Sequence, residues 1–217
     1  MKTFILPVIT CVFFSITAFA QTDSLLLTLL DTTPKEPLLP AKMIFTQRFL
    51  WGEKGFMRKI KVMPLNEANR KTELKIRRGM LVAHQVDGYV TLACMVAQGI
   101  IGAKLYSYKI TGDPKHDPGY QNLRRLHANT AIGVDVAYFS TAALSLFAPP
   151  PLLNRKSKKI NSIRLHKNLA ILHFSSMLAT NILSLYAKRD PTIRAYHRAA
   201  AYTAFASFGL AVIVMKF

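Results

Sequence analysis

The chain has 217 residues, 51% of them hydrophobic, and a formal net charge of +18. A soluble domain does not usually combine these properties, and here Lys and Arg separate blocks of apolar residues, as they do in membrane proteins. The basic residues flank apolar blocks without a recognisable nucleic-acid motif. We therefore expect the lipid bilayer, with its anionic headgroups, as partner and no nucleic acid. The two cysteines, Cys11 and Cys94, provide neither a disulfide framework nor a zinc site.

Residues 1–20 have the three parts of a secretory signal peptide. Lys2 is the basic start, residues 4–19 are apolar, and Ala18 and Ala20 are the small residues that precede a cleavage site. An uncleaved signal anchor is the alternative, and a lipoprotein site at Cys11 fits poorly because Thr10 precedes the cysteine. Signal and anchor both place residue 21 onward on the far side of the membrane.

Residues 21–78 are predicted to lie outside the cytoplasm. Pro34, Pro37 and Pro40 indicate a linker up to residue 41. Residues 42–78 are polar and basic with interspersed aromatic residues, which predicts an interfacial helix whose aromatic side chains lie at headgroup level.

Residues 79–217 are predicted to cross the membrane four times. The apolar segments are residues 79–105, 126–148, 165–187 and 195–214, and each meets the requirement of roughly 20 residues. Short loops rich in Pro, Gly and basic residues join them, so consecutive helices should be antiparallel neighbours. The sequence thus predicts an all-α integral membrane protein, an up-down four-helix transmembrane bundle preceded by a signal peptide.

Two signals disagree about orientation. The signal peptide places the start of the first span outside the cytoplasm, whereas the positive-inside rule would place the basic residues 21–78 and 150–165 inside. Because the signal is complete in its three parts, we expect a bacterial inner (cytoplasmic) membrane protein with its mature N-terminus outside the cytoplasm.

Each predicted span has a histidine near its own start: His84, His127, His166 and His197. Since consecutive spans run in opposite directions, His84 and His166 fall near one membrane face and the other two near the opposite face. Ionisable residues inside a membrane are costly and are functional candidates. A single histidine near a span end is more often an interfacial or helix-packing residue, but four in matched pairs favour metal ligation.

Two imidazoles from facing helices are the axial ligands that a low-spin haem iron requires. The pairs therefore predict two haem b groups, one near each face. Their propionates need cations at the water boundary, and arginines stand at every span start: Arg78, Arg125, Arg164 and Arg194.

Three further intramembrane residues leave alternatives open. His173 lies two helical turns after His166 and is the second candidate partner of His84, or else a buried hydrogen-bonding residue or part of a proton path. Asp87, one turn from His84, either orients that histidine or stays hydrated at the boundary. Asp135 is expected to face the bundle interior.

The sequence around these histidines resembles the cytochrome b561 type of transmembrane electron carriers. The resemblance covers residues 78–217 and rests on His84-Gln85-Val86-Asp87-Gly88 continuing to Gln98-Gly99, Leu126-His127-Ala128, Leu165-His166-Lys167-Asn168-Leu169 and Tyr196-His197-Arg198-Ala199. It implies that His84 and His166 ligate one haem and that His127 and His197 ligate the other. It also implies single-electron transfer between haems near opposite faces, as in a b561-type transmembrane oxidoreductase.

Other function classes stay open. A ferric reductase is a poorer match, because that type concentrates two histidines in each of only two helices. A non-redox membrane protein, such as a small transporter or an assembly subunit with structural or proton-relay histidines, is the alternative. The sequence names neither the electron donor nor the acceptor, and a membrane complex is compatible with it.

Overall fold

A computed structural model describes residues 37–110, 112–152, 161–188 and 190–216. The predicted signal peptide and the linker up to residue 36 lie outside the described residues. All regular secondary structure in the described part is helical, in agreement with the all-α prediction. The helices are α1 (Phe45–Trp51), α2 (Phe56–Lys59), α3 (Glu67–Ser107), α4 (Pro118–Leu146), α5 (Ser162–Ser184) and α6 (Pro191–Lys216).

Polar side chains cap the first three long helices. Asn66 accepts a hydrogen bond from the backbone N–H of Asn69 at the start of α3, and Asp117 and Asn161 cap α4 and α5 in the same way. Each cap satisfies a backbone donor that the first helical turn leaves free.

Two boundaries differ from the sequence-based prediction. Helix α3 begins at Glu67, well before the predicted span start at Gly79, because residues 67–78 contain neither Pro nor Gly to interrupt it. Pro118, expected to stop a helix, instead opens α4. Proline is tolerated there because the first helical residues have no intrahelical acceptor for their N–H groups.

The four long helices form two hairpins. Contacts are most extensive between α3 and α4 and between α5 and α6, and α3 also packs on α6. Asn181 on α5 donates to Asp135 on α4 at 3.0 Å, which joins the hairpins and turns Asp135 inward as expected. The guanidinium of Arg198 on α6 lies 3.9 Å from the ring centre of Tyr106 on α3. The helices therefore follow one another around the bundle in the order α3, α4, α5, α6.

A small core lies at mid-height among these helices. It consists of Met95, Val134, Tyr138, Met177, Ala204 and Phe208. The outer surface is apolar as well. By length and composition, α3 and α6 are suited to cross a membrane, and they are the two helices with this property in the described part of the chain.

Residues 38–66, here called the entry segment, fold onto one end of the long helices. The indole N–H of Trp51 donates to the carbonyl of Phe147 at 2.9 Å, and the Thr46 hydroxyl donates to the carbonyl of Leu146 at 2.6 Å. Leu38 is tied to α3, because its carbonyl accepts from Nε of Arg70 at 2.8 Å. Part of the predicted linker and interfacial helix is thus packed against the C-terminal end of α4.

A buried ion cluster lies under the entry segment. The carboxylate of Glu73 pairs with Arg58 and Arg70, and the exposed fractions of the three side chains are 0%, 7% and 2% respectively. Arg70 and Arg77 also donate to the carbonyls of Pro150 and Pro149, at 3.2 and 2.7 Å. The first turns of α3 are therefore joined to the proline run after α4.

Candidate functional site

His84 and His166 face each other across the bundle, from α3 and α5. Their ring centres are 6.2 Å apart and their planes are nearly perpendicular, at 88°. Nδ1 of His84 lies 2.7 Å from the carbonyl oxygen of Thr141, and Nδ1 of His166 lies 3.0 Å from that of Ala211. A carbonyl only accepts, so each Nδ1 carries the proton and donates it. In the neutral imidazole this leaves the lone pair on Nε2.

The distance between the two ring centres is compatible with two ligands of one metal ion. Imidazole nitrogens bind first-row metals at about 2 Å, which places the ring centres of two opposed ligands about 6 Å apart. A hydrogen bond from the other ring nitrogen to a backbone carbonyl is the usual support of a metal-binding histidine, because it selects the tautomer and holds the ring. His84 and His166 both have this support.

His127 and His197 form the second group, on α4 and α6. They are close enough for an electrostatic interaction between the two rings. Nδ1 of His197 donates to the carbonyl of Thr180 at 2.9 Å, which again leaves the lone pair on Nε2. The rings of His84 and His166 are therefore in contact, whereas His127 and His197 are within electrostatic range of each other.

His127 differs from the other three in its Nδ1 partner. The side-chain amide nitrogen of Gln98 lies 3.2 Å from Nδ1 of His127, and the Thr130 hydroxyl donates to the amide oxygen of Gln98. With the amide placed this way, Gln98 donates to Nδ1 and the proton of His127 is on Nε2. Ligation through Nε2 requires the opposite tautomer, with the proton on Nδ1. The same Gln98 nitrogen donates to the carbonyl of His127 at 3.0 Å, so ligation would require this side chain to move.

Gly102 on α3 makes room for the ring of His127. A Cβ atom at this position would lie 3.1 Å from Cε1 of His127, closer than an ordinary van der Waals contact, whereas a Cβ at Gly99 would meet nothing within 4 Å. Of these two neighbouring glycines, only Gly102 is needed for the histidine to fit against α3.

The two histidine groups lie at opposite ends of the bundle. His84 and Gln98, which contacts the second group, are both on α3 and are separated by fourteen residues, or about 21 Å of helix. Between them lies the buried core with Tyr138 and Phe208. The interior between the two groups is therefore largely apolar.

His173 belongs to this core. Its Nδ1 lies 2.6 Å from the hydroxyl of Tyr138, and its ring packs edge-on against Tyr138 and Phe208. It is also near enough to His84 and His166 to interact with them electrostatically. Of the alternatives that the sequence leaves open for His173, the structure provides the geometry of a half-buried hydrogen-bonding residue.

The charged candidates behave differently from the histidines. Arg78 and Arg125 are exposed, about three turns into α3 and two turns into α4, and Arg125 donates to the side chain of Asn122. Asp87 accepts from the hydroxyl of Ser140, while the Nδ1 proton of His84 goes to Thr141. Asp87 is thus not the group that orients Nδ1 of His84.

Sequence reasoning missed several residues that build this site. The carbonyls of Thr141, Thr180 and Ala211 carry no residue-specific signal, since any backbone could supply them. Tyr138 is a polar residue inside an apolar segment, a signal that could have identified it. Gln98 belongs to the motif quoted above, but the motif does not predict its contact with His127. In the sequence, the ion cluster of Arg58, Arg70 and Glu73 belongs to a polar and basic stretch, and only the fold shows that these side chains are buried.

The described residues offer few side chains that could bind a metal ion besides the histidines. No three His, Cys, Asp or Glu side chains converge to hold an ion among the residues that the structure describes. Haem iron needs only two protein ligands, because the porphyrin provides four nitrogens.

No protein-family model, curated protein or solved structure significantly matches this chain.

Proposed function

We propose that this protein is a transmembrane b-type cytochrome that moves single electrons between two haem b groups near opposite membrane faces. His84 and His166 would hold one haem, and His127 and His197 the other. The observation that carries the proposal is the His84–His166 pair, with ring centres 6.2 Å apart and both Nδ1 atoms bonded to backbone carbonyls.

The surface of all four long helices supports a membrane location. Ile132 and Val136 on α4 are 64% and 67% exposed, and Ile171 on α5 is 69% exposed. Comparable exposed residues, Ile100 and Ile213, lie on α3 and α6. Soluble proteins rarely present apolar surface on this scale, whereas lipid-facing helices require it. We therefore infer a four-helix transmembrane bundle rather than two spans with two soluble helices.

The protein groups have distinct roles in this proposal. When bound, haem supplies one-electron redox chemistry at its iron. The carbonyls of Thr141, Ala211 and Thr180 select the tautomer of their histidines and hold the rings. The exposed side chains of Arg78 and Arg125 would pair with propionates at the water boundary. The apolar core between the groups excludes water.

A non-redox membrane protein is the second candidate, and specific contacts favour it. The Tyr138–His173 and Gln98–His127 hydrogen bonds tie neighbouring helices together without any cofactor. Histidines of this kind serve packing or proton relay in small transporters and assembly subunits.

The absorption spectrum of protein purified from haem-replete cells distinguishes the two candidates. We expect a sharp low-spin α-band after reduction, and about two haems per chain from the pyridine haemochrome, since each iron needs two imidazoles. A colourless preparation would favour the non-redox candidate. The spectrum does not identify the electron donor, the acceptor or a membrane complex.

We infer the cellular location from the sequence signals. An export signal at residues 1–20 with α3 starting outside the cytoplasm is expected for a bacterial inner membrane protein whose mature N-terminus is extracytoplasmic.

A further inference from the structure

Helix α1 has two faces of opposite character. Gln47 and Trp51 are buried against the end of α4, whereas Phe45 and Phe49 point away and are 80% and 59% exposed. The two phenylalanine rings stack with centres 6.3 Å apart. Residues four apart share one helix face, so this is a continuous aromatic surface. An uncovered aromatic pair on a helix held firmly in place indicates a binding surface.

The position of α1 is set by the bundle. Trp51 and Thr46 donate to the last carbonyls of α4, and Leu146 and Phe147 beside them are themselves about 40% exposed. If α4 crosses the membrane, its end lies at the interface, and α1 is fixed at the same depth.

The charges around α1 select the partner. The entry segment has five exposed cations and a single exposed acid, Glu53; the cations are Lys42, Arg48, Lys54, Lys59 and Lys61. Aromatic residues at headgroup depth with basic neighbours are the composition that binds anionic lipid surfaces.

We propose that α1 is a membrane-surface anchor, with Phe45 and Phe49 inserted between lipid headgroups and the surrounding cations paired with anionic lipids. The proposal rests on the membrane location of the proposed function and adds the lipid partner. Docking of this face on a second copy of the chain is the competing outcome.

The test uses the full chain in nanodiscs, with a polarity-sensitive fluorophore on single cysteines in a Cys11→Ser, Cys94→Ala background. The labelled variants are Phe45→Cys on the aromatic face, Glu53→Cys as the exposed control and Val136→Cys on the outer face of α4, in the middle of its predicted span. We expect the label at 45 to emit at shorter wavelength than the label at 53. Lipids brominated high on the acyl chain should quench it, and lipids brominated deep should quench the label at 136.

The outcomes separate the two proposals. Quenching at 136 with the label at 45 behaving like that at 53 would overturn the anchor and leave the membrane bundle intact. No quenching at 136 would overturn the membrane location itself. A blue-shifted label at 45 that brominated lipids do not quench would indicate a protein partner, such as a second copy, and would also overturn the anchor.

The lipid charge is tested with matched double variants. The double variant Lys59→Gln, Lys61→Gln should weaken the phosphatidylglycerol-dependent insertion of α1, as reported by the label at 45. The equilibrium constant for insertion should fall about fivefold for each charge removed. Lys104→Gln with Lys109→Gln, at the other end of the bundle, removes the same charge and should leave it unchanged. Equal effects of the two pairs would overturn specific pairing with anionic lipid.

Discussion

Among the histidines, the group bonded to Nδ1 decides what the ring can do. For His84, His166 and His197 this group is a backbone carbonyl, which leaves Nε2 free as a lone pair. For His173 it is the hydroxyl of Tyr138 in the buried core. A backbone acceptor prepares a ring to bind a metal, whereas the tyrosine holds His173 as part of the packing.

Alanine variants of the histidines should fall into three classes. Loss of one axial ligand weakens the hold on that haem only, so His84→Ala and His166→Ala should remove the same spectral component and their double variant should match either single one. His127→Ala and His197→Ala should together remove the other component. His173→Ala should keep both haems, as absorption and haemochrome spectra will show.

Two results would contradict this assignment. Loss of a haem in His173→Ala but not in His166→Ala would make His173 the ligand and leave the bundle intact. If no histidine variant changed haem content, the histidines would be structural and the electron-transfer proposal would fail.

Gly102 should be essential to the second histidine group in a way that Gly99 is not. Gly102→Val places atoms against the ring of His127, where even a Cβ would be only 3.1 Å from Cε1. We expect the spectral component that depends on His127 to be weakened or shifted, and the His84 component to be unchanged. Gly99→Val costs the same helix propensity with nothing nearby to displace, so it is the matched control. Equal spectra for the two variants would show that the close contact is unimportant.

At the scale of the helices, burial of charged side chains in the first turns of α3 is unfavourable. Hydrogen bonds to the entry segment offset this free energy. Arg58, Arg70 and Glu73 lose nearly all their hydration, and burial of charges is unfavourable unless they are paired and hydrogen-bonded. The carbonyls of Met63, Trp51, Leu38 and Pro150 accept from the two arginines. The entry segment, α3 and the end of α4 should therefore fold as one unit.

Glu73→Gln should destabilise this unit strongly, because it leaves two buried guanidinium groups without a counter-charge. Removing one partner of a buried ion pair typically costs about 3–5 kcal/mol. Glu67→Gln, on the exposed first turn of the same helix, is the control and should cost much less. Trp51 is the sole tryptophan of the chain and its carbonyl accepts from Arg58, so its fluorescence during unfolding in detergent reports on this unit. A Glu73→Gln variant as stable as Glu67→Gln would show that solvent reaches the cluster.

At the scale of the whole molecule, the outside of the bundle is apolar as well as its core. The hydrogen-bonded pairs Asp135–Asn181 and Tyr138–His173 point inward, while isoleucines and valines cover the outside. Lipid offers no hydrogen bonds, so buried polar pairs and an apolar exterior are the stable arrangement in a bilayer.

Glu53 and Lys115 should lie on opposite sides of the membrane. Glu53 follows α1, which packs at the end of α4, and Lys115 lies in the loop between α3 and α4 at the other end. Single cysteines at these positions, in a chain without Cys11 and Cys94, should react with a membrane-impermeant reagent from opposite sides in intact cells and inverted vesicles. The export signal predicts that Glu53→Cys reacts from outside the cell. Labelling of both positions from one side would contradict the up-down arrangement.

The sequence by itself determined the helical class and the approximate places of the four long helices, and it predicted the contact between His84 and His166. Apolar segments near 20 residues can bury their backbone only as helices, and short loops force antiparallel neighbours, so a histidine near each start falls into two groups. These conclusions depend on local composition and on the length of the loops, which the chain alone carries.

Only the tertiary structure decided which groups hold each histidine ring and which charged side chains in the first turns of α3 are buried. Thr141, Ala211 and Thr180 act through backbone carbonyls, which are the same in every residue, so no sequence pattern marks them. The partners of Glu73 are Arg58 on α2 and Arg70 one turn earlier on α3, and Arg70 in turn donates to the proline run after α4. A charge is known to be buried only once those elements meet. Long-range contacts of this kind are set by how the helices pack, a property of the fold as a whole that no local stretch of sequence contains.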